Sequence, residues 1–586
     1  MISRTYGWIQ NPSDFNKLRK TVEIFDSSTA HYKDLKNKII QREIVFFDDI
    51  RDNLQTKLDN NIETFSYTEL VGTSMDKHGK SPKKRKNAEA NALIQISLIP
   101  QQSERTGKYF TDDWTSDGFL RWAVSLNLVT TNREEDTFKI TEKGTEFIQT
   151  KPESEDEINF LRKLFLSYPP ATRVLNILSS DRTKKYYTKF EIGNKLGFIG
   201  ESGFTSYDNE LMVDWLRNAD TPAEVTKVRS DVEGTSDKYA RMISGWLKKV
   251  GFVGTKKGDV LSNSKNATTG FQKYYITGKG LHALRKAQGS SKNNQQKKFI
   301  MWEFLGVKGS DRDYNRMRRA KIIKFLEKST SYKSLLSYIK SEGFEDHEKV
   351  ILNDIKGINN SGIRISKNGN NIRLLDTLND FSLPDISVTR TDTERRQAKL
   401  KEKYLRYIDY DSKYIELLEI AYDGRRNLDF EMLTAELIKN IYKISAEHLG
   451  GGRKPDGVAF TNEYGVIFDT KAYRNGYGKN ISQADEMIRY INDNSIRDNK
   501  RNPNEWWEVF PETIPSNSYY FLWISSKFVR RFNEQLAYTA RATKTKGGAL
   551  NVEQLLVGAN EVYNGRIKPK DLDGYFNNEE IIFKEI

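Results

Sequence analysis

Two stretches of this chain close on the same short phrase. Ile140-Thr141-Glu142-Lys143-Gly144 and Ile276-Thr277-Gly278-Lys279-Gly280 both read Ile-Thr-x-Lys-Gly. Each phrase ends a longer pattern. SDGFLRWAVSLNLV (116–129) precedes FKITEKGTEFI (138–148), and SDKYARMISGWLKKVGFV (236–253) precedes YYITGKGLHAL (274–284). Ser-Asp predicts a helix N-cap at each start. Apolar residues then recur at helical spacing, and Asn or Gly turns the chain into a β-rich stretch. Helix, hairpin and helix, made twice, predict two tandem winged-helix units. That is a helix-turn-helix variant whose recognition helix enters the major groove of DNA. Small α+β domains of other kinds share this element order, so the pattern alone leaves both open.

A third candidate unit spans 316–375. RMRRAKIIKFLEK and YKSLLSYIKSEGF predict helices, and IRISKNGNNIRLL predicts a hairpin around Asn-Gly. Three such units would make a modular DNA reader, although the third also suits a protein–protein module. Charge agrees with a reader. The 586 residues hold 94 Lys and Arg against 80 Asp and Glu, a net charge of +14. A basic surface of this size favours a polyanion, and nucleic acid is the usual one, over a merely soluble basic protein. KHGKSPKKRKN (77–87) reads as an exposed basic loop, either a phosphate contact or a solvated loop.

Other classes are excluded or disfavoured. With no cysteine there is no disulfide framework or thiolate zinc site, and five scattered histidines argue against a His-based one. The N-terminus has no apolar signal core and no stretch approaches 18 apolar residues, which predicts a cytoplasmic protein with no membrane partner. Polar segments at 150–157 and 286–298, and a change to a charged helical run near 387, divide the chain into 1–153, 154–290, 291–386 and 387–586.

The chemistry concentrates in PDGVAFTNEYGVIFDTKAY (455–473). GVIFDTK reads as a buried strand, and period two puts Ile467, Asp469 and Lys471 on one face. Asp456 lies 13 residues before Asp469, a span that fits a hairpin bringing the two carboxylates to adjacent strands. Side by side they repel, and a hard divalent cation such as Mg²⁺ removes that cost. A neighbouring lysine orients or deprotonates water and stabilises developing negative charge. Together these parts suit metal-assisted hydrolysis of a phosphodiester. The bland alternative is a surface hairpin with an ordinary Asp–Lys pair. Upstream, LDFEMLTAELIKNIYKI (428–444) reads as an amphipathic helix, with Glu436 as either a further carboxylate of the site or a solvated residue. SYPPA (167–171) lacks the Asp/Asn-Pro-Pro-aromatic order of adenine methyltransferases, and no phosphate-binding G-x-x-x-x-G-K-[ST] loop is present.

PD…DTK is similar to the PD-(D/E)XK nuclease pattern. The blocks HLGGGRKPDG, GVIFDTKAY, QADEMIRY and NPNEWWEVFP resemble the cleavage domain of the FokI family of type IIS restriction endonucleases. RTYGWIQNP, TSDGFLRWA, SYPPATR, GESGFTS and EGTSDKYARMISGWL extend that resemblance over nearly the whole chain. It implies a multidomain fold: tandem helix-turn-helix or winged-helix-like α(+β) DNA-recognition subdomains, a third helical subdomain that holds the nuclease, then an α/β restriction-endonuclease-like domain. It implies binding of an asymmetric site in double-stranded DNA, GGATG, and cutting of both strands at a fixed distance to one side, with Mg²⁺.

By the same resemblance, Asp456, Asp469 and Lys471 are catalytic, with Asp456 and Asp469 on the metal. Gln10, Asn11, Arg85, Trp114, Glu233, Lys238 and Arg241 are the base readers. Arg and Lys suit guanine edges, Asn and Gln suit adenine, and Glu accepts from cytosine. Asp485 and Arg489, at i and i+4, match a nuclease dimer interface, the alternative being an intrahelical pair on a solvated face. The implied partners are DNA, a transient second copy of the chain and a cognate DNA methyltransferase. Two other classes stand beside this one: a DNA-binding regulator with an inactive nuclease-like domain, and a structure-specific nuclease or resolvase.

Overall fold

The structure is a computed structural model that describes residues 4–40, 45, 47–75, 88–100, 103–262 and 267–586. Both repeated phrases sit at corresponding places in two similar units. In the first, strand β1 (Phe65–Ser66) precedes helix α1 (Asp113–Ser125), strands β2 (Val129–Asn132) and β3 (Thr137–Ile140), and helix α2 (Glu142–Gln149). The strands form an antiparallel sheet in the order β1-β3-β2. In the second, strand β4 (Tyr187–Thr188) and helices α3 (Lys189–Gly193), α4 (Asn209–Arg217) and α5 (Thr235–Lys249) lead into β5 (Val253–Lys256). An extra hairpin, β6 (Val260–Ser262) and β7 (Ala267–Thr269), follows before β8 (Lys273–Ile276) and helix α6 (Gly278–Gln288). This sheet runs β4-β8-β5.

The repeat has a physical cause. Thr141 caps α2 by accepting from the Gly144 amide, and Thr277 caps α6 by accepting from the Gly280 amide. Each threonine hydroxyl also donates back to the strand-entry carbonyl, Leu128 O at 3.1 Å and Phe252 O at 3.2 Å. The glycines let the helix press on that same carbonyl. A Cβ on Gly144 would lie 2.1 Å from Leu128 O, and one on Gly280 would lie 2.2 Å from Phe252 O. Thr and Gly are thus the two residues that dock the closing helix against its sheet.

The Ser-Asp pairs are not N-caps. Asp112 caps α1, so Ser116-Asp117 falls one turn in, where Asp117 accepts from Tyr67 and pairs with Arg121. Gly234 caps α5, and Asp237 at the third helical position reaches back to its amide at 2.8 Å. The capping-box acid, not the cap, carries the signal there. Asp237 also accepts from the Tyr207 amide, and burial pushes its carboxyl up to about 7.

The third unit has helices α7 (Arg312–Leu326), α8 (Tyr332–Ser341) and α9 (Glu348–Asn360) and the hairpin β9 (Ile365–Asn368) and β10 (Asn371–Leu374). Gly369 at φ +57° makes the two-residue turn between Asn368 and Asn371. Helix α10 (Asp392–Tyr407) then leads to the last domain and is gripped at both ends by this third unit. Arg390 reaches Asp346 at 2.9 Å, and Lys349 Nζ donates to the Leu405 and Arg406 carbonyls at the helix C-terminus.

The last domain contains helix α11 (Asn427–Asn440) and a six-stranded mixed sheet in sequential order. Its strands are β11 (Ser445–His448), β12 (Gly457–Phe460), β13 (Gly465–Lys471), β14 (Tyr519–Ser525), β15 (Gly547–Asn551) and β16 (Glu579–Glu580). The β11-β12 and β12-β13 pairs are antiparallel, and the rest are parallel. Helices α12 (Ile481–Ile496), α13 (Phe532–Thr543) and α14 (Val552–Tyr563) fill the crossovers. Both faces are covered, as parallel pairing requires. Val466, Phe468, Leu522 and Ile524 face one core, and Ile467, Phe521 and Trp523 face the other.

The first of these two cores is not confined to the domain. Leu211, Met212, Trp215 and Leu216 of α4 belong to it together with Leu433, Leu437 and Leu555. The second unit therefore shares apolar surface with the last domain, while the third unit clamps the linker helix. We expect Gly144→Ala and Gly280→Ala each to destabilise the protein by about 1–3 kcal/mol through forced contact with the strand carbonyl. The exposed neighbour change Glu142→Ala serves as the control that leaves the thermal melting midpoint in place.

Candidate active site and DNA-reading surface

β13 carries Asp469 and Lys471 on the same face, as period two requires, and ends beside α12 and α13. β12 runs antiparallel to it with Gly457 opposite Phe468, so that Asp456, one residue before β12, falls level with Asp469. Only glycine fits after Asp456, since a Cβ on Gly457 would lie 2.3 Å from the Phe468 ring. Asp456 Oδ2 accepts from the Thr470 amide at 2.7 Å and from its hydroxyl at 3.0 Å. The carboxylate is thereby fastened to the residue between Asp469 and Lys471. Lys471 Nζ meets Asp469 Oδ2 at 2.5 Å.

The electrostatics are those of a crowded anionic site. Burial, then the charges of Asp469 and Glu431, push the Asp456 carboxyl well above its ordinary value, and Lys471 and the Thr470 amide only partly oppose them. Burial alone would lower the Lys471 ammonium, but Asp469 and Asp456 outweigh it and raise it. Lys471 is a cation at neutral pH and hence a donor, not a base. A hard cation fits these two carboxylates, which lack a complementary charge of their own beyond that lysine. Among the described residues no group of three or more His, Cys, Asp or Glu forms a cage by itself. Such an ion would need oxygens from water or substrate as well.

Glu431 is the carboxylate that the sequence did not reveal. It sits on α11, accepts from His448 Nε2 at 3.0 Å, and bears on Asp456. Glu436 stands elsewhere: five residues along a 3.6-residue helix is a rotation of about 140°. It is buried, paired with Lys413 and bonded to Tyr414, so it is neither solvated nor at the site.

Of the residues expected to read DNA, those described lie in the N-terminal parts of α1 and α5 and the segments before them. Trp114 is 51% exposed beside Asn11, on an open cleft of about 730 Å³ that Lys17 and Lys108 also line. Gln10 lies against the Tyr239 hydroxyl of α5. Arg85 and the basic loop 77–87 lie outside the described residues. Arg241 is exposed, but Glu233 is not available as a reader in this arrangement. Its carboxylate grips Arg241 through two bonds, 2.8 and 3.1 Å, and Lys189 at 2.7 Å. Burial alone would raise the Glu233 carboxyl, yet those bonds hold it below the usual range. Glu233 orients the Arg241 guanidinium. Lys238 is half-buried on the same helix.

On α12, Asp485 is exposed and makes no ion pair with Arg489 among the described residues, while Arg489 Nε is buried without a partner. The intrahelical pair is therefore not formed. Nearby, α12 and α13 bound an open groove of about 760 Å³ with Ile481 and Tyr538 on its walls. Both side chains are exposed, Ile481 at 69%.

Tandem helix–hairpin units joined to a mixed α/β sheet, with Asp456, Asp469 and Lys471 where β12 begins and β13 ends, define a DNA-recognition and nuclease architecture. Family models match four parts of the chain: FokI recognition domain subdomain 1 at 4–150, subdomain 2 at 156–292, the FokI D3 domain at 305–370 and the FokI cleavage domain at 390–582. The chain is 37% identical to the type II restriction enzyme FokI of Planomicrobium okeanokoites over 99% of both sequences. It is 28% identical to the type II restriction enzyme StsI of Streptococcus sanguinis, over 98% of this chain and 94% of that one. The solved structures of restriction endonuclease FokI, alone and bound to DNA, superpose with TM-scores of 0.88 and 0.90 at 36% identity. Both cover 99% of this chain and 100% of theirs. The chain belongs to the FokI family of type II restriction enzymes.

The crowding at Asp456 has a pH signature. Because its folded-state carboxyl is raised, it favours the fold below the ordinary aspartate range, and that contribution is lost as pH rises through the raised value. Asp456→Asn keeps an acceptor for Thr470 and removes the charge. Without divalent cation, Asp456→Asn should melt above the wild type at pH 8, with the advantage shrinking toward pH 5. A variant that melts below wild type at both values would contradict the repulsion.

Proposed function

We propose that this protein is a type IIS restriction endonuclease that binds GGATG in double-stranded DNA and hydrolyses both strands at a fixed distance to one side. The observation that carries this reading is the fastening of Asp456 to Thr470, between Asp469 and Lys471. Asp456 and Asp469 are the residues that would hold Mg²⁺, which supplies charge neutralisation at the phosphate and an activated water when bound. Lys471, kept protonated by the two aspartates, donates to a phosphate oxygen as negative charge develops. Asp469 holds its ammonium in place. Gln10, Asn11, Arg85, Trp114, Lys238 and Arg241 read the site, and Glu233 presents Arg241. An inactive regulator would have no need of an Asp–Asp–Lys group so closely held. A cell containing such an enzyme needs a DNA methyltransferase that protects the same site, and both would work in the cytoplasm.

One active site addresses one strand, and the strands of a duplex run in opposite directions. The second cut is assigned to a second copy, docked through α12 so that Asp485 of each copy meets Arg489 of the other. The unpaired Arg489 Nε and the exposed Ile481 and Tyr538 favour this over an intrahelical pair.

Three experiments test the reading. Cleavage of random-sequence DNA with Mg²⁺, followed by sequencing of the ends, should return GGATG at a constant offset; another core sequence refutes the specificity. Asp456→Ala, Asp469→Ala and Lys471→Ala should each lose roughly 100-fold or more in cutting rate while still shifting the site in a gel. On dilute DNA sites, the double-strand cutting rate should rise more than linearly with enzyme. Asp485→Ala or Arg489→Ala should slow it, and reversing both charges together should restore part of it. A first-order dependence with both single variants fully active rules out the second copy.

A further inference from the structure

The residues just before Pro455-Asp456 have an unusual backbone. Gly450, Gly451, Gly452 and Arg453 all lie at positive φ, +45°, +75°, +69° and +68°. This run is held from outside. Asn504 donates to the Gly452 carbonyl at 2.6 Å and Asn502 to the Arg453 carbonyl at 3.1 Å. In a trans peptide the N–H points opposite to the preceding C=O. The amides of Arg453 and Lys454 therefore face away from the two asparagines. Gly451, Gly452 and Arg453 are exposed. The loop thus carries two amides turned away from the asparagines and two cationic residues, Arg453 and Lys454, one proline away from Asp456, groups that can donate to an anion.

An anion already stands there, and it comes from another domain. Asp220, just after α4 of the second recognition unit, meets Lys454 Nζ at 3.3 Å, with both side chains largely withdrawn from solvent. Glu224 follows: its Oε2 accepts from the Asp220 amide, and its Oε1 lies 3.9 Å from where a Cβ on Gly452 would be. Lys227 also faces the loop, 3.9 Å from the equivalent point on Gly451, and Trp215 packs edge-on against His448. Two carboxylates of the reading unit thus face the basic loop of the nuclease domain.

We propose that the loop 450–454 binds a phosphodiester of the strand being cut, and that Asp220 occupies this site as a phosphate mimic while the nuclease domain rests on the second recognition unit. The inference builds on the nuclease reading of Asp456, Asp469 and Lys471. Lys454 then has two alternative partners, a carboxylate of its own chain and a phosphate of the DNA next to the one at Asp456. The loop cannot hold both, so DNA enters as Asp220 leaves.

An ordinary interdomain ion pair and a phosphate site make different demands on the two partners. In the full chain, at saturating enzyme on DNA carrying the wild type's own site, single-turnover cutting is measured with Mg²⁺. Lys454→Gln should slow cutting about tenfold, the worth of a charge-assisted bond. Asp220→Asn should speed it, because it removes the competitor. The double variant should be as slow as Lys454→Gln, and Lys454→Arg should recover most of the rate. If circular dichroism shows Lys454→Gln unfolded, Lys454→Arg and Asp220→Asn decide. Slowing by Asp220→Asn, or full activity of Lys454→Gln, overturns the proposal. A wild type that does not cut at all refutes the nuclease reading instead.

Discussion

Two carboxylates held side by side within a sheet covered on both faces set the terms for the rest of this molecule. Asp456 and Asp469 can approach only because β12 and β13 pair in a fixed register, with Gly457 against the Phe468 ring. A slip by one residue would turn Asp469 and Lys471 into the opposite core. The register is secured by burial of both strand faces and by the parallel pairing of β13 with β14 along its whole length. The Asp456 bonds to Thr470 then fix the carboxylate itself. Repulsion is tolerated because the surrounding core leaves the strands no other arrangement, and Lys471 relieves part of it. Strain of this kind at a site is characteristic of function that trades against stability.

The reading half uses charge differently. Its carboxylates serve as holders. Glu233 grips Arg241 with a two-point contact and takes a third bond from Lys189. A guanidinium fixed this way loses less rotamer freedom when it meets a base edge. In the third unit Asp354 binds Arg318 at 2.6 Å and Arg319 at 2.8 Å, tying α7 to α9 in the interior. These groups are paired because a lone buried charge would be far costlier.

Much of this was legible in the sequence, and what was not has a common cause. The repeated Ile-Thr-x-Lys-Gly phrase encodes local geometry, a cap and a close approach, so it could be read without a structure. The alternation in GVIFDTK placed Asp469 and Lys471 on one face for the same reason. Ser-Asp misled because cap residues and first-turn acids share a composition, and only the backbone shows which position is which. Glu431 and Glu436 both lie on one amphipathic helix, and the choice between them depends on His448, which pairs across a turn of unknown path. The core shared by α4 and the nuclease domain joins residues more than 200 positions apart. No periodicity carries that information.

That shared core also explains how two domains can be joined firmly and still be separable. Its apolar part centres on α4, with Phe190, Tyr207, Val228, Val232 and Phe271 of the same unit beside it. Around it the contacts are polar: Tyr207 to Asp429 at 2.6 Å, Asn218 to Glu447 at 2.8 Å and Lys439 to Glu210 at 3.2 Å. Groups like these exchange readily with water, and a polar rim around a small apolar centre is typical of contacts that form and break. The covalent tether, α10, is bound to the last domain as well, through Tyr404 to Glu553 and Tyr407 to Glu561. Its ends are held by Arg390 and Lys349 on the third unit, whose bonds are independent of α4. Parting of α4 from the sheet would expose the Lys454 side of the loop 450–454. The recognition subdomains and the pair Asp456 and Asp469 are thus joined through one interface with an apolar centre and a polar rim.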